Sequence, residues 1–156
     1  MTPGSAPADA PWISIAAHAQ LCGGHIWVEE RCFELLGAWS VSFPEPNVRV
    51  DLAARARHHA WRASLWRDLL PAIGDADPTA VIGPPDADLT ALFLELAAAG
   101  PSPGAVVRLD SVVLSPLGVA YEQHARRCTP ATDGATARTL AIVRADLAAD
   151  RGPEVR

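Results

Sequence analysis

Apolar residues recur at intervals of three and four positions along most of this chain, which is the spacing of one face of an α-helix. Clusters of proline, glycine and aspartate separate the periodic stretches and end each of them. No stretch alternates apolar and polar residues over enough positions to predict a β-strand. The pattern predicts five helices, over residues 11–41, 48–70, 89–99, 104–128 and 134–150.

Each of the four longer helices carries an apolar stripe that defines the expected core. Glu29 interrupts the first of these stripes, and the second and third each carry a histidine, His59 and His124. Because a buried carboxylate is costly unless it is paired, protonated or bound to a metal, we expect a polar site inside the protein. The stripes are Ile15, Ala19, Cys22, Ile26, Glu29, Phe33 and Leu36; Leu52, Ala56, His59, Ala63, Trp66 and Leu70; Val106, Asp110, Val113, Leu117, Tyr121, His124 and Cys128; and Thr136, Leu140, Val143 and Leu147.

The length of 156 residues fits one domain with a sizeable core. We place this domain at residues 11–150, between a tail rich in Pro, Ala, Ser and Gly over residues 1–10 and a short tail over residues 151–156. The first two helices are joined by a short proline turn, so they should form an antiparallel hairpin. The stretch 71–103 is long enough to cross a bundle with the short helix packed on the way. The predicted fold is therefore an all-α helix bundle.

Composition and charge exclude several classes of function. The chain has 13 basic and 18 acidic residues, and the net charge of −5 argues against nucleic acid as a partner. All the basic residues are arginine, so no lysine can form a Schiff base or act as a general base. The first residues lack a signal-peptide pattern, and no apolar run approaches the roughly 18 residues that span a bilayer. We therefore expect a cytoplasmic protein without a membrane partner.

The three cysteines are Cys22, Cys32 and Cys128. None belongs to a CxxC pair, which argues against a zinc site made of thiolates. Their odd number and their apolar neighbours predict reduced, buried thiols in a reducing compartment.

The layout resembles the ferritin-like superfamily, in which a crossover joins two helix hairpins. The resemblance covers about residues 11–150 and rests on the helix order, the long crossover, Glu29 in the middle of the first helix and the segment ARHHAWRASLWRDLLP at 56–71. It implies a ferritin-like four-helix bundle whose crossover contains a short extra helix. Active members place a glutamate on each of two helices and a Glu-x-x-His pair on each of the other two, for two metal ions.

Most of those metal ligands have no counterpart here. Glu29 matches the glutamate of the first helix, and His59 matches the histidine of the second, but Ala56 replaces the glutamate three residues earlier. On the third long helix, Tyr121 or Glu122 lies nearest the expected glutamate, with His124 close by. The last helix offers Asp146 and no histidine. The resemblance therefore implies a divergent member that lacks the full di-metal set and acts as a binding or accessory protein.

The polar stripe positions leave three interpretations open. His25, Glu29, His59 and His124 are suitable donors for a single Fe, Mn or Zn ion, because imidazoles and a carboxylate bind all three. Without a metal, Glu29, His59 and His124 could instead form an acid/base site, with Tyr121 as the acid. Either arrangement would make the protein an oxidase-like, hydroxylase-like or acid/base enzyme on a small molecule. The third interpretation, which we favour, is a structural hydrogen-bonded cluster with no cofactor.

Tryptophan and arginine are concentrated on the first two helices, and both residue types favour interfaces. We therefore expect a homodimer. Arg55 and Arg62 could bind an anionic ligand, but we expect them to pair with Glu30 and Glu34 on the neighbouring helix.

Overall fold

The computed structural model describes residues 13–72, 75–129 and 131–151, and all regular secondary structure in these ranges is helical. This confirms the all-α class. The predicted tail over residues 1–10 lies outside the described residues, as does nearly all of the tail over 151–156. The helices are α1 (Ile15–Ser42), α2 (Pro46–Arg67), α3 (Ala87–Ala99), α4 (Pro103–Leu109), α5 (Ser115–Arg126) and α6 (Gly134–Asp150).

Helices α1 and α2 form the predicted hairpin and pack together along their lengths. Ser14 caps α1, because its hydroxyl accepts a hydrogen bond of 3.1 Å from the backbone N–H of Ala17. Helix α2 begins at Pro46, two residues before the predicted start. Proline suits a first helical position, since its fixed φ is helical and its missing N–H would have no partner there.

The crossover lies directly against α1. A 3₁₀ turn at Pro78–Val81 packs on the helix where Gly23 leaves space. A Cβ atom at Gly23 would lie 2.2 Å from the carbonyl oxygen of Val81, so only glycine allows this approach. Helix α3 follows, capped by Asp86 and ended by Gly100, whose φ of 72° lies in the region that favours glycine.

Helices α4 and α5 run on as one continuous helix, Pro103–Arg126, through a π-helical turn at Asp110–Leu114. The turn comes just before Pro116, which has no N–H to donate and would crowd a regular α-helical turn. The turn also moves the buried stripe by one residue. Ala105 and Leu109 are buried before it, whereas the sequence pattern predicted Val106 and Asp110.

The core forms mainly where the stripes predicted it. All four predicted positions of α6 are buried, and so are Ala56, His59 and Trp66 of α2. Two predictions on α1 were wrong: Ile15 is 66% exposed and Phe33 is 45% exposed. Ile15 is the first residue of α1, where the helix has not yet reached its neighbours. At Phe33 the helix turns the adjacent Cys32 inward instead.

The helix Pro103–Arg126 is long and apolar enough to cross a membrane by length and composition, with a mean hydropathy of 1.3 over its most apolar window. Core helices of soluble proteins pass the same test. No unbroken apolar run marks this helix in the sequence, because Arg108 and Asp110 interrupt it. A cytoplasmic location and the absence of a membrane partner stay predictions.

Candidate functional site

Glu29 is the centre of a fully buried hydrogen-bonded cluster. Its Oε2 atom lies 2.5 Å from Nδ1 of His59, which faces it from α2. Its Oε1 atom accepts hydrogen bonds from Nε of Arg62, at 3.0 Å, and from the hydroxyl of Tyr121 on α5. The indole of Trp66 donates to the same Tyr121 oxygen at 3.1 Å. Both carboxylate oxygens of Glu29 are therefore occupied by protein groups.

Arg62 supplies the positive charge of this cluster and is itself fully buried. Besides Glu29, its guanidinium donates to Asp146 and to Asp150, the latter at 2.8 Å, both on α6. Burial alone would lower the pKa of Arg62, but the charge of Glu29 and the two aspartates raise it overall. Arg62 therefore stays charged and ties α1, α2 and α6 together.

The expected pairing of Arg55 and Arg62 with Glu30 and Glu34 was wrong. Arg55 pairs with Asp110 instead, Glu30 pairs with Arg67, and Glu34 pairs with Arg31 in its own helix at 2.5 Å. The reason is that the face of α2 that carries Arg55 and Arg62 points into the core, where both side chains are buried.

Tyr121 acts in this cluster as a neutral hydrogen-bond donor. Burial, followed by the adjacent charge of Glu29, raises its pKa well above the usual value. The phenol therefore keeps its proton and directs it towards Glu29.

His25 and His124 form a second polar pair, with Nε2 of His25 3.2 Å from Nδ1 of His124. The pair packs against Trp66 and Tyr121, which belong to the Glu29 cluster: the His124 ring stacks at 5.6 Å on Trp66, and the His25 ring meets Tyr121 edge-on at 4.8 Å. Burial, reinforced by neighbouring histidines, lowers the pKa of His25 to about 3 and that of His124 to about 4. Both imidazoles are therefore neutral at physiological pH.

A cavity of about 730 Å³ adjoins the histidine pair. Its walls come from α1, from the crossover between Val81 and Leu89, and from the helix Pro103–Arg126. Most of the lining is apolar, and the polar side chains that line it are Gln20, His25, Asp86 and Arg127. Glu29, His59 and Tyr121 do not line it. The cavity is therefore in contact with His25 and is not lined by Glu29 or its hydrogen-bond partners.

The structure brings the predicted acid/base residues Glu29, His59 and Tyr121 into direct contact, while His124 contacts His25. The predicted metal ligands His25, Glu29, His59 and His124 do not gather around one point. In the described part of the chain, the group whose ligand atoms lie within 4.8 Å of one another is His58, Asp146 and Asp150. The guanidinium of Arg62 donates to both of these aspartates, so a cation there would meet an existing positive charge.

Sequence reasoning missed Arg62, Asp150 and the role of Trp66. One signal pointed to Arg62: it follows His59 by three residues and so shares its helix face. The partners on α6 had no such signal, because they depend on how distant helices pack.

Comparison with known proteins adds no identification. No family model matches the chain, and no significant match to a curated protein or to a solved structure was found.

Proposed function

We propose that this protein is a divergent ferritin-like bundle that binds a small, mainly apolar molecule in the cavity beside His25, and that it acts as a binding or accessory protein. The observation that carries the proposal is the cavity of about 730 Å³ with a neutral, buried histidine in its wall. A volume of this size is typical of sites for small ligands, which combine apolar walls with a few polar groups.

The chemistry of the lining indicates the kind of ligand. A neutral imidazole can donate or accept one hydrogen bond, so His25 suits a hydroxyl, carbonyl or carboxyl group. Arg127 is the cationic side chain in the lining and favours a ligand with an acidic group. The apolar remainder favours a hydrocarbon or aromatic body.

The order of elements supports the ferritin-like part of the proposal. A hairpin of α1 and α2, a crossover containing α3 and a second pair formed by α5 and α6 follow one another along the chain. The Glu29 cluster lies between these pairs, where active members of the superfamily hold metal. Here the space is filled by the guanidinium of Arg62 and the phenol of Tyr121.

A binding role is favoured over acid/base catalysis because Glu29, His59 and Tyr121 are fully buried and hydrogen-bonded among themselves. A substrate in the cavity would meet His25, whose pKa of about 3 makes it a weak base at neutral pH.

The homodimer belongs to the same proposal. Val107, Val112 and Val119 leave apolar surface exposed along the helix Pro103–Arg126, and a second copy could cover it.

The test is ligand binding with a probe that fits this chemistry, the fluorescent anion anilinonaphthalene sulfonate. We expect the folded protein to bind it with one-to-one stoichiometry. Ala120→Trp fills the cavity from α5 and should abolish binding, whereas Ala53→Trp, at an exposed position of α2, should leave it unchanged. Near-UV circular dichroism checks that both variants are folded. Absence of binding, or equal binding by both variants, would overturn the proposal.

A further inference from the structure

Two His-x-x-x-Cys pairs occur in this chain, His18 with Cys22 on α1 and His124 with Cys128 at the end of α5. Residues four apart on a helix share one face, so each pair presents an imidazole and a thiol together. Cys128 lies two residues beyond the end of α5, and its N–H donates to the carbonyl of Ala125 at 3.2 Å, which continues the last helical turn. Cysteine and histidine are the donors that zinc prefers.

The fold places the two pairs against each other. Sγ of Cys22 lies 3.5 Å from Nε2 of His18, and the ring centroids of His18 and His124 are 5.5 Å apart. The thiol of Cys128 donates to the carbonyl oxygen of His124 at 3.4 Å, which keeps this sulfur beside the backbone of the second pair.

A nitrogen atom in this group lacks a partner. Nε2 of His124 is buried and has no hydrogen-bond partner among the described residues. The other ring nitrogen, Nδ1, lies 3.2 Å from Nε2 of His25. This is the arrangement of a metal-binding histidine, in which one nitrogen faces the ion and a second residue holds the other.

The group also has a route to solvent. His18 is only partly buried and lines a surface cavity of about 570 Å³ together with Asp133. A metal ion could reach the group through this cavity, and the carboxylate of Asp133 would attract it.

From this juxtaposition we propose that His18, Cys22, His124 and Cys128 form a binding site for one zinc ion, with two nitrogen and two sulfur ligands. In the structure no three of the four donor atoms lie within 4.8 Å of one another, so the proposed site requires the side chains to rotate towards the ion as it binds. Each thiol loses its proton as its Zn–S bond forms, and one zinc ion therefore releases two protons. The site is separate from the proposed ligand cavity and does not rest on that function.

The donor set distinguishes this site from the group of His58, Asp146 and Asp150. That group offers two carboxylates already bound by Arg62, whereas no cationic side chain donates to the two thiols or to Nε2 of His124 among the described residues. Soft sulfur donors also select zinc over the hard cations that carboxylates prefer.

The experiment is a titration of reduced, metal-free protein with cobalt(II), which reports tetrahedral thiolate ligation by its absorption. We expect a sulfur-to-cobalt charge-transfer band that saturates at one equivalent and disappears when zinc is added. Cys22→Ser and Cys128→Ser should each abolish the band. Cys32→Ala, which removes a buried cysteine outside the group, should retain it, as should Asp146→Asn.

Two further measurements test the proposal even if a cysteine variant fails to fold. His18→Gln changes a partly buried side chain and should weaken cobalt binding by at least tenfold without loss of helical circular dichroism. A pH indicator should show the release of two protons for each zinc ion bound. The proposal is overturned if no charge-transfer band forms, if the band survives in Cys22→Ser and Cys128→Ser, or if Cys32→Ala removes it equally.

Discussion

Two polar clusters lie in the same helical core, and they differ in charge and in access. The first, around Glu29 and Arg62, consists of opposite charges that bind one another and is closed to solvent. The second, formed by His25 and His124, is neutral, and His25 lines a cavity; His18, whose ring lies 5.5 Å from that of His124, lines another. The first cluster holds helices together, while the second offers donor atoms to a ligand or an ion. Burial of polar residues alone does not distinguish these two roles. They are distinguished by whether the polar atoms already have protein partners and whether a cavity reaches them.

The strongest test of this comparison is Glu29→Ala. Removing the carboxylate leaves the buried guanidinium of Arg62 and the imidazole of His59 without their shared partner. Breaking a buried ion pair costs about 3–5 kcal/mol, so we expect the free energy of unfolding to fall by about that amount. Urea denaturation followed by circular dichroism measures it.

The control for Glu29→Ala is Glu34→Ala, which removes a carboxylate whose side chain is 53% exposed. Surface substitutions of this kind change stability by less than about 0.5 kcal/mol. Equal effects of the two substitutions would mean that the Glu29 cluster does not hold the fold together.

A second test concerns the crossover, which packs on α1 and forms a wall of the cavity beside His25. Gly23→Ala places a methyl group against the carbonyl of Val81 and displaces the crossover, which also forms a wall of the cavity. Overpacking of this kind costs about 1–3 kcal/mol. We expect a lower thermal midpoint and weaker binding of the fluorescent probe.

The matched substitution for Gly23→Ala is Gly37→Ala, in the same helix. A Cβ atom at Gly37 meets nothing within 4 Å, so alanine there should stabilise α1 by about 0.5–1 kcal/mol. If both substitutions stabilise the protein, the close contact between α1 and the crossover is not present in solution.

A third test is the dependence of stability on pH. His25 and His124 have folded-state pKa values of about 3 and about 4, below the ordinary value of 6.5. The unfolded chain therefore binds more protons, and stability is lost as the pH falls from about 6.5 towards 4. The slope is at most about 1.4 kcal/mol per pH unit for each histidine.

Urea denaturation at a series of pH values measures this slope. His25→Phe removes the histidine with the larger shift and should flatten it. An unaltered slope in His25→Phe would show that the histidine pair is not the neutral, buried group described above.

The sequence predicted the elements well because helix periodicity is local. Glu29 and His59 were expected in the core from their stripes alone, and both are fully buried. Arg62 was expected at a surface pair, since arginine is seldom fully buried, and only the packing of α6 against α2 explains its position. The pairs formed by His18 with Cys22 and by His124 with Cys128 carry no zinc signal of the CxxC kind, since a spacing of four is that of any two residues on one helix face.

The π-helical turn at Asp110–Leu114 affects how this sequence aligns with that of a related protein. It adds one residue to a helix, and one residue corresponds to a rotation of about 100°. The half before the turn contacts α3 and the half after it contacts α6, each with its own phase. A related chain with a regular helix here would carry the same two surfaces with one residue fewer. Without a single-residue gap at this turn, an alignment of the two chains would match either half of the helix but not both.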